Sequence, residues 1–438
     1  MSKPESIFRK EIIGWSLYDF ANTIYSMNIV SLYLKRYIVE DLHKDHLYFD
    51  VPFSLSMIFA AILLPALGAI SDHAAKKKIF VMLFTFTCCI SVGVMAFIPS
   101  HLLILILILF IIANFCYEAA QPFYNSLLYS VSDGNQARFV SGFGVALGYI
   151  GSVVGMIIVL PFVTGKISIP FLSNGGFTSS FLPTAILFIL FSLPLFYWVK
   201  EKENIKKSKI KFISAYKEVW EGIRETKKYP GVLRFLIADY FFEDAVTTVI
   251  LNIGIYCSVV IGFEESMITT FLIISTVSAV IGSFIIGKLS QNFSLKKMLN
   301  MIVIGWIISL LIFIITDNKA IIWVIGSFVG ILLGGLWTTS RPMLAELVPR
   351  DELGRFYGLF ALSGRAAAVV GPLIWTTILY FFDANRFLGQ LLAEWLDLNQ
   401  DSAENMPYKL GVLSLVFMMA VGLYIFRKVP ESKRGLDV

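Results

Sequence analysis

Ionisable and amide side chains recur at helical spacing inside stretches otherwise apolar enough to enter a membrane. In "GWSLYDFANTIYSMNIVSLYL" (14–34), Asp19 and Asn22 stand about one turn apart, with Tyr18 and Tyr25 beside them. The stretch 232–260 carries three carboxylates, Asp239, Glu243 and Asp244, within two turns. Asn114, Glu118, Gln121 and Asn125 follow i, i+4, i+7, i+11 spacing and share one helical face, flanked by Tyr117 and Tyr124. Arg341 follows Trp337 and Thr338 by about one turn. Such residues are costly inside a bilayer and are functional candidates by default. A carboxylate there can carry a proton or meet an amine. An Arg stays charged and needs an anion: Glu118, Asp244 or a bound carboxylate. A cation for a carboxylate and a carboxylate for an amine would together suit an amino acid. Hydrogen bonds between helices and an internal Arg–Glu pair account for the same residues.

The segments that must position these groups dominate the chain. Its 438 residues are 57% hydrophobic and 15% charged, with mean hydropathy +0.76. That leaves more apolar surface than a water-soluble fold could bury. Apolar runs predict spans at 12–38, 51–71, 79–98, 102–131, 139–163, 181–199, 232–260, 266–289, 298–316, 320–348, 356–382 and 409–427. The first is read as a retained span and not a signal peptide. The expected fold class is an all-α membrane protein with twelve transmembrane helices in two six-helix pseudo-repeats. Residues 1–199 form the first half, 200–231 a cytoplasmic linker and 232–438 the second half. In the linker, Phe212, Tyr216, Val219, Trp220 and Ile223 share one face, which suits a helix lying on the membrane surface.

Positive charge sets the expected orientation. With the N-terminus inside, inner segments collect about 27 Lys and Arg, and outer loops about seven, Lys35 and Arg36 among them. Both termini are then cytoplasmic. Cys88, Cys89, Cys116 and Cys257 all fall in apolar runs and are expected to be reduced and buried.

The halves repeat each other. "GAISDHAAKKKIF" (68–80) matches "GKLSQNFSLKKML" (287–299), and Gly142, Gly148 and Gly155 recur as Gly358, Gly364 and Gly371. "YDFANTI" (18–24) pairs with "EDAVTTV" (243–249), which sets Asp19 against Asp244. The glycines, with Gly144 and Gly151, allow helices to approach closely, either to move or to pack. Two parallel six-helix repeats with a substrate site near the midplane are the plan of major facilitator transporters.

Gly68, Asp72 and the basic run Lys76, Lys77 and Lys78 resemble the loop between the second and third helices of the major facilitator superfamily. His73 replaces the usual Arg or Lys and Ala75 the usual Gly. The resemblance implies that Asp72 braces a cytoplasmic gate. A narrower resemblance covers both halves in order. "GWSLYDFANTIY" (14–25), "FYNSLLYSV" (123–131), "VSGFGVALGYIG" (140–151), "YFFEDAVTT" (240–248) and "GGLWTTSRPMLAELVP" (334–349) are similar to the vacuole-effluxer-like branch. That branch holds the fungal autophagy-related vacuolar amino-acid effluxers and their bacterial relatives. Trp337 stands where a Gln is common and Pro342 where a Ser is common.

The resemblance implies a secondary active transporter that moves a small solute by alternating access, with amino-acid efflux as the leading function. Proton-coupled efflux of drugs, siderophores or other metabolites is the alternative. The expected substrate and proton-coupling residues are Asp19, Asn22, Tyr25, Asn114, Glu118, Gln121, Glu243, Asp244, Trp337 and Arg341. No enzymatic activity, cofactor, metal or nucleic-acid partner is expected. Small-molecule substrate, protons and the lipid bilayer are the partners, and the chain is expected to work as a monomer in a bacterial inner membrane.

Other motifs are weaker. "GSFIIGK" (282–288) opens like a phosphate-binding loop, but Leu289 stands where Ser or Thr is required, within an apolar helix. An intramembrane aspartyl protease would need a Gly-x-Gly-Asp motif that the chain lacks. A receptor or lipid scramblase on the same fold would tolerate neutral replacement of Asp244 and Arg341, whereas a transporter would not.

Overall fold

The computed structural model describes residues 9–73, 77–132, 134–168, 175–201, 212–290, 293–348 and 353–431. Among them the chain is built from helices. They are α1 (Lys10–Tyr25), α2 (Leu47–His73), α3 (Lys77–Met95), α4 (Leu103–Val131), α5 (Gly134–Val163) and α6 (Phe181–Trp198). A linker helix, α7 (Phe212–Glu225), leads to α8 (Val232–Val259), α9 (Glu265–Leu289), α10 (Leu295–Ile315), α11 (Lys319–Leu347) and α12 (Leu353–Phe382). The short α13 (Phe387–Trp395) precedes α14 (Gln400–Arg427).

Among the described residues, ten helices are long and apolar enough to cross a membrane, and Leu47–Leu63 forms a shorter apolar helix. The twelve expected spans exceed that count for local reasons. Beyond α1 the helix runs on as π turns at Ser26–Tyr33 and Tyr37–Asp41, with one α turn between them. Wider turns of this kind interrupt an α-helix without ending it. Lys35 and Arg36, expected in an outer loop, therefore lie within the helix and are buried. Arg36 pairs with Glu40 one turn on, through Nε at 2.9 Å and a second nitrogen at 3.0 Å, and stacks over Phe177. A two-pronged bond of this kind lets an Arg leave water.

Large apolar side chains remain exposed along the helices, including Ile104, Phe284, Ile315 and Phe417. A water-soluble fold would not leave such a surface; lipid covers it at no cost. Polar starts are satisfied locally. Asn318 caps α11 by accepting from Ala320 N, and Asn399 caps α14 by accepting from Ser402 N. All four cysteines are free and buried.

The chain divides into two compact units, Met1–Lys44 with Leu55–Tyr216, and Asp45–Ser54 with Lys217–Val438. The start of α2 thus groups with the second unit, where Asp50 is buried and accepts from the Thr376 hydroxyl. Inside the first unit α1 packs on α5 and α6, and α3 on α4 and α6. Inside the second, α8 packs on α12 and α14, and α10 on α11 and α14. The same pairings recur in the two units. On α7, Tyr216, Trp220 and Ile223 are exposed, and the Tyr216 hydroxyl donates to Ile62 O at 3.0 Å.

Candidate functional site

In the first unit the polar residues of α1 are largely engaged in holding helices. α1 crosses α5 so closely that a Cβ on Gly151 would collide with the backbone of Phe20. Only glycine permits that approach. Thr23 Oγ1 seals the crossing by donating to Gly148 O at 2.6 Å. The Asp19 carboxylate fills the space left by Gly144, where a Cβ would come within 2.5 Å of its Oδ2. Asn22 donates to Asp19 Oδ1 at 3.4 Å, and the Tyr124 hydroxyl lies alongside.

Around them the aromatic residues of α1 and α4 interlock. Trp15 and Tyr124 stack with ring centroids 4.7 Å apart. Each also donates to the other's carbonyl, at 3.1 Å in both directions. Tyr18 bonds Thr85 of α3 at 2.7 Å. Tyr25 reaches Asn114 Oδ1 at 3.5 Å, and Asn114 Nδ2 donates to Ser56 of α2 at 2.8 Å. Asn114, the start of the expected polar stripe, is therefore 2% exposed and joins three helices. Exposure rises along the stripe: Glu118 and Gln121 are half-buried and Asn125 is exposed.

The second unit uses its carboxylates differently. Asp244 is fully buried and both its oxygens accept from Gly371 N, at 2.8 and 2.9 Å. Pro372 follows immediately; a proline ring loosens the helical ladder around it. Asp244 thus anchors α8 to the weakened turn of α12. Thr248 packs on the same glycine, where a Cβ would strike its hydroxyl.

Glu243, the next residue, turns to another neighbour. Trp337 of α11 donates its indole Nε1–H to Glu243 Oε2 at 3.2 Å and is 39% exposed. Arg341, one turn further along α11, is exposed, and it and Arg365 of α12 are the cations acting on Glu243. The structure therefore brings Glu243, Trp337 and Arg341 together on one side of the second unit, and places Asp244 against α12.

Packing also revises the internal repeat. Gly155 faces Ile24 and Asn28, while its counterpart Gly371 faces Asp244 and Thr248. Gly144 faces Trp15, and the residue in its place, Phe360, stacks on Phe235 at 6.3 Å. Both pairs equate Ile24 with Asp244 and Trp15 with Phe235. They therefore equate Asp19 with Asp239, and not with Asp244 as the sequence repeat suggests.

Of the expected gate motif, Lys76 lies outside the described residues, as do the surroundings of Gly68 and the Asp72 side chain. Lys78 Nζ donates to Val199 O at the end of α6 at 2.8 Å, and Glu201 accepts from Lys78 N at the start of α3. A cation thus meets a helix C-terminus and an anion a helix N-terminus. Lys77 is half-buried at the start of α3. Sequence reasoning missed Ser56, Thr85, Ser340 and the pair Asp50–Thr376. Hydroxyls in apolar helices carry no periodic signal, because each usually bonds its own helix. Asp50 was legible as a charge placed just before an apolar run.

A family model described as Vacuole effluxer Atg22 like matches residues 47–130 and 129–386. The MFS-type transporter YxiO of Bacillus subtilis is 28% identical over 434 residues, covering 97% of this chain and 96% of its own. Autophagy-related protein 22 of Kluyveromyces lactis is 21% identical over 417 residues, covering 87% of this chain and 80% of its own. Among solved structures, the nucleoside transporter NupG aligns with TM-score 0.71 at 13% identity, over 95% of this chain and 99% of that one. A bacterial homolog of the human lysosomal transporter Spinster, in an inward-facing and unoccupied conformation, gives TM-score 0.71 at 14% identity, over 98% of each chain. At such identities these two structures speak for the fold. With the family match spanning most of the chain and apolar helices throughout, the chain belongs to the Vacuole effluxer Atg22 like family and is a multi-pass membrane transporter of the major facilitator type, not an enzyme.

Proposed function

We propose that the protein exports neutral amino acids from the cytoplasm, coupling their exit to proton movement. The observation that carries this reading is the cluster of Glu243, Trp337 and Arg341 in the second unit. It offers a carboxylate for an ammonium group, a guanidinium for a carboxylate and an aromatic surface between them. Arg suits the carboxylate because its planar fork can bond both oxygens. The half-exposed indole favours a substrate with an apolar side chain. The name of the fungal relative's family supports efflux. Within the first unit, Asp19, Asn22, Tyr25, Asn114, Glu118 and Gln121 are its own candidate substrate and proton-coupling residues, with Glu118 and Gln121 the more accessible. Asp244 serves the same transport by holding α8 on α12. Gly68, Asp72, Lys76, Lys77 and Lys78 form the cytoplasmic gate. The domain plan is two six-helix halves joined by the linker 200–231. The charge asymmetry of the loops favours cytoplasmic termini and a bacterial inner membrane, with the monomer as the working unit.

Counterflow tests the substrate class. Proteoliposomes of the full chain are loaded with unlabelled leucine and diluted into labelled leucine. Saturable accumulation, competed by other neutral amino acids and lost in Arg341→Gln, is expected. Accumulation that Arg341→Gln leaves intact would remove the two-point site. Absence of counterflow with every neutral amino acid, from protein that is folded and inserted, would overturn the substrate class.

A further inference from the structure

Asp239 is the group that the reading above leaves without a task. It is 1% exposed, and among the described residues neither of its carboxyl oxygens has a hydrogen-bond partner. It lies one turn before Glu243 on α8, so the two side chains share a face, about 5–6 Å apart at Cβ. Ser340 of α11, beside Asp239, is also 1% exposed, and its hydroxyl has no hydrogen-bond partner among the described residues. A carboxylate buried beside a single hydroxyl loses several kcal/mol of hydration. A second carboxylate one turn away adds repulsion. The cations do not relieve Asp239: Arg341 of α11 and Arg365 of α12 act on Glu243. Among the described residues, no charged group of α9 or α14, the other helices packed on α8, acts on either carboxyl.

We infer that Asp239 and Glu243 together bind one proton, and that this pair is the proton-coupling site of the transporter. The proton sits on one carboxyl and is donated to the other, so the pair carries one negative charge and a short charge-assisted bond. Ser340 offers the remaining donor and acceptor. The coupling rests on the amino-acid reading and follows from sharing Glu243. An ammonium group that binds Glu243 supplies the positive charge that the proton had supplied. The proton then passes to water, and the amine keeps all of its own. When the amine leaves, one proton from water restores the pair. Amine and proton therefore alternate at one site, which couples their movements in opposite directions.

Infrared difference spectroscopy of the full chain in lipid, titrated with pH, reads the proton without any substrate. The wild type is expected to show the carbonyl stretch of a buried protonated carboxyl. Asp239→Asn removes it. Asp239→Glu keeps it at a changed frequency, which distinguishes loss of the proton from loss of the fold. Glu243→Gln keeps it but changes the pH at which it titrates. An unchanged band in Asp239→Asn, or an unchanged titration in Glu243→Gln, would overturn the shared proton. Transport then separates the two readings. Asp239→Asn is expected to lose leucine uptake driven by a pH gradient and to keep leucine counterflow. Equal loss of both modes would overturn the coupling role. A wild type that shows the band but moves no leucine would sink the amino-acid reading and leave the proton site standing.

Discussion

The helix pairs α1/α5 and α8/α12 occupy the same place in their two units, yet they hold together by different means. α1 lies on α5 through an all but bare glycine surface, sealed by Thr23 and filled by Asp19 at Gly144. α8 lies on α12 through one charged clamp, Asp244 on Gly371 N, beside a proline that weakens the helix. The difference shows where a duplicated fold can free a residue for other work. Once Asp244 secures the crossing, Asp239, the packing counterpart of Asp19, needs no structural partner. Asp19 has Asn22 and a glycine socket, whereas Asp239 has none of these.

The largest effect should come from filling the first crossing. Gly151→Leu puts a side chain where the Phe20 backbone stands, and cores charge about 1–3 kcal/mol or more for such overpacking. Loss of monodisperse protein on extraction is the expected outcome. A stable Gly151→Leu protein with normal transport would mean that the close crossing is not present. Next comes the clamp. Asp244→Ala removes the bonds that Gly371 N donates across the helix pair, at a cost of about 1 kcal/mol. Its unfolding temperature should fall further than that of Asp19→Ala, because both Asp244 oxygens accept from a backbone N–H at 2.8 and 2.9 Å, whereas the Asn22 bond to Asp19 is 3.4 Å. Equal falls would erase the contrast between the two helix pairs.

A smaller effect tests the site in isolation. Trp337→Phe keeps the ring and removes the bond to Glu243, worth about 1 kcal/mol, so apparent affinity for leucine should weaken by about fivefold. Unchanged affinity would take Trp337 out of the site. The smallest effect sharpens the glycine argument. Nothing lies within 4 Å of a Cβ built on Gly364, so Gly364→Ala should not destabilise and should gain up to about 1 kcal/mol from helix propensity. A large loss there would show that α12 needs the flexibility of that glycine and not its lack of bulk.

The fold was legible because apolar runs and loop charges repeat along the whole chain. The polar positions were legible as types but not as partners. Asp19 and Asp244 look equivalent in sequence because each precedes a similar run of small and β-branched residues. Their helices nevertheless meet the glycines of α5 and α12 one turn or more apart, and helical periodicity alone carries no information about that sliding. Asn114 read as the start of a polar face because spacing does not reveal that Ser56 and Tyr25 reach it from two other helices. Lys35 and Arg36 read as loop charges because an ion pair at i, i+4 inside π turns leaves no mark on hydropathy. Asp239 read as one of three carboxylates within two turns, and its burial depends on helices far away in sequence.

On the proposed coupling, Glu243 exchanges a proton for the substrate's ammonium group. Its most direct test is the proton released when leucine is added to purified, weakly buffered protein in lipid, followed with a pH indicator. Release that saturates with leucine, rises with protein concentration and vanishes in Glu243→Gln is the expected result. Leucine binding of normal affinity without proton release, or release that persists in Glu243→Gln, would contradict it.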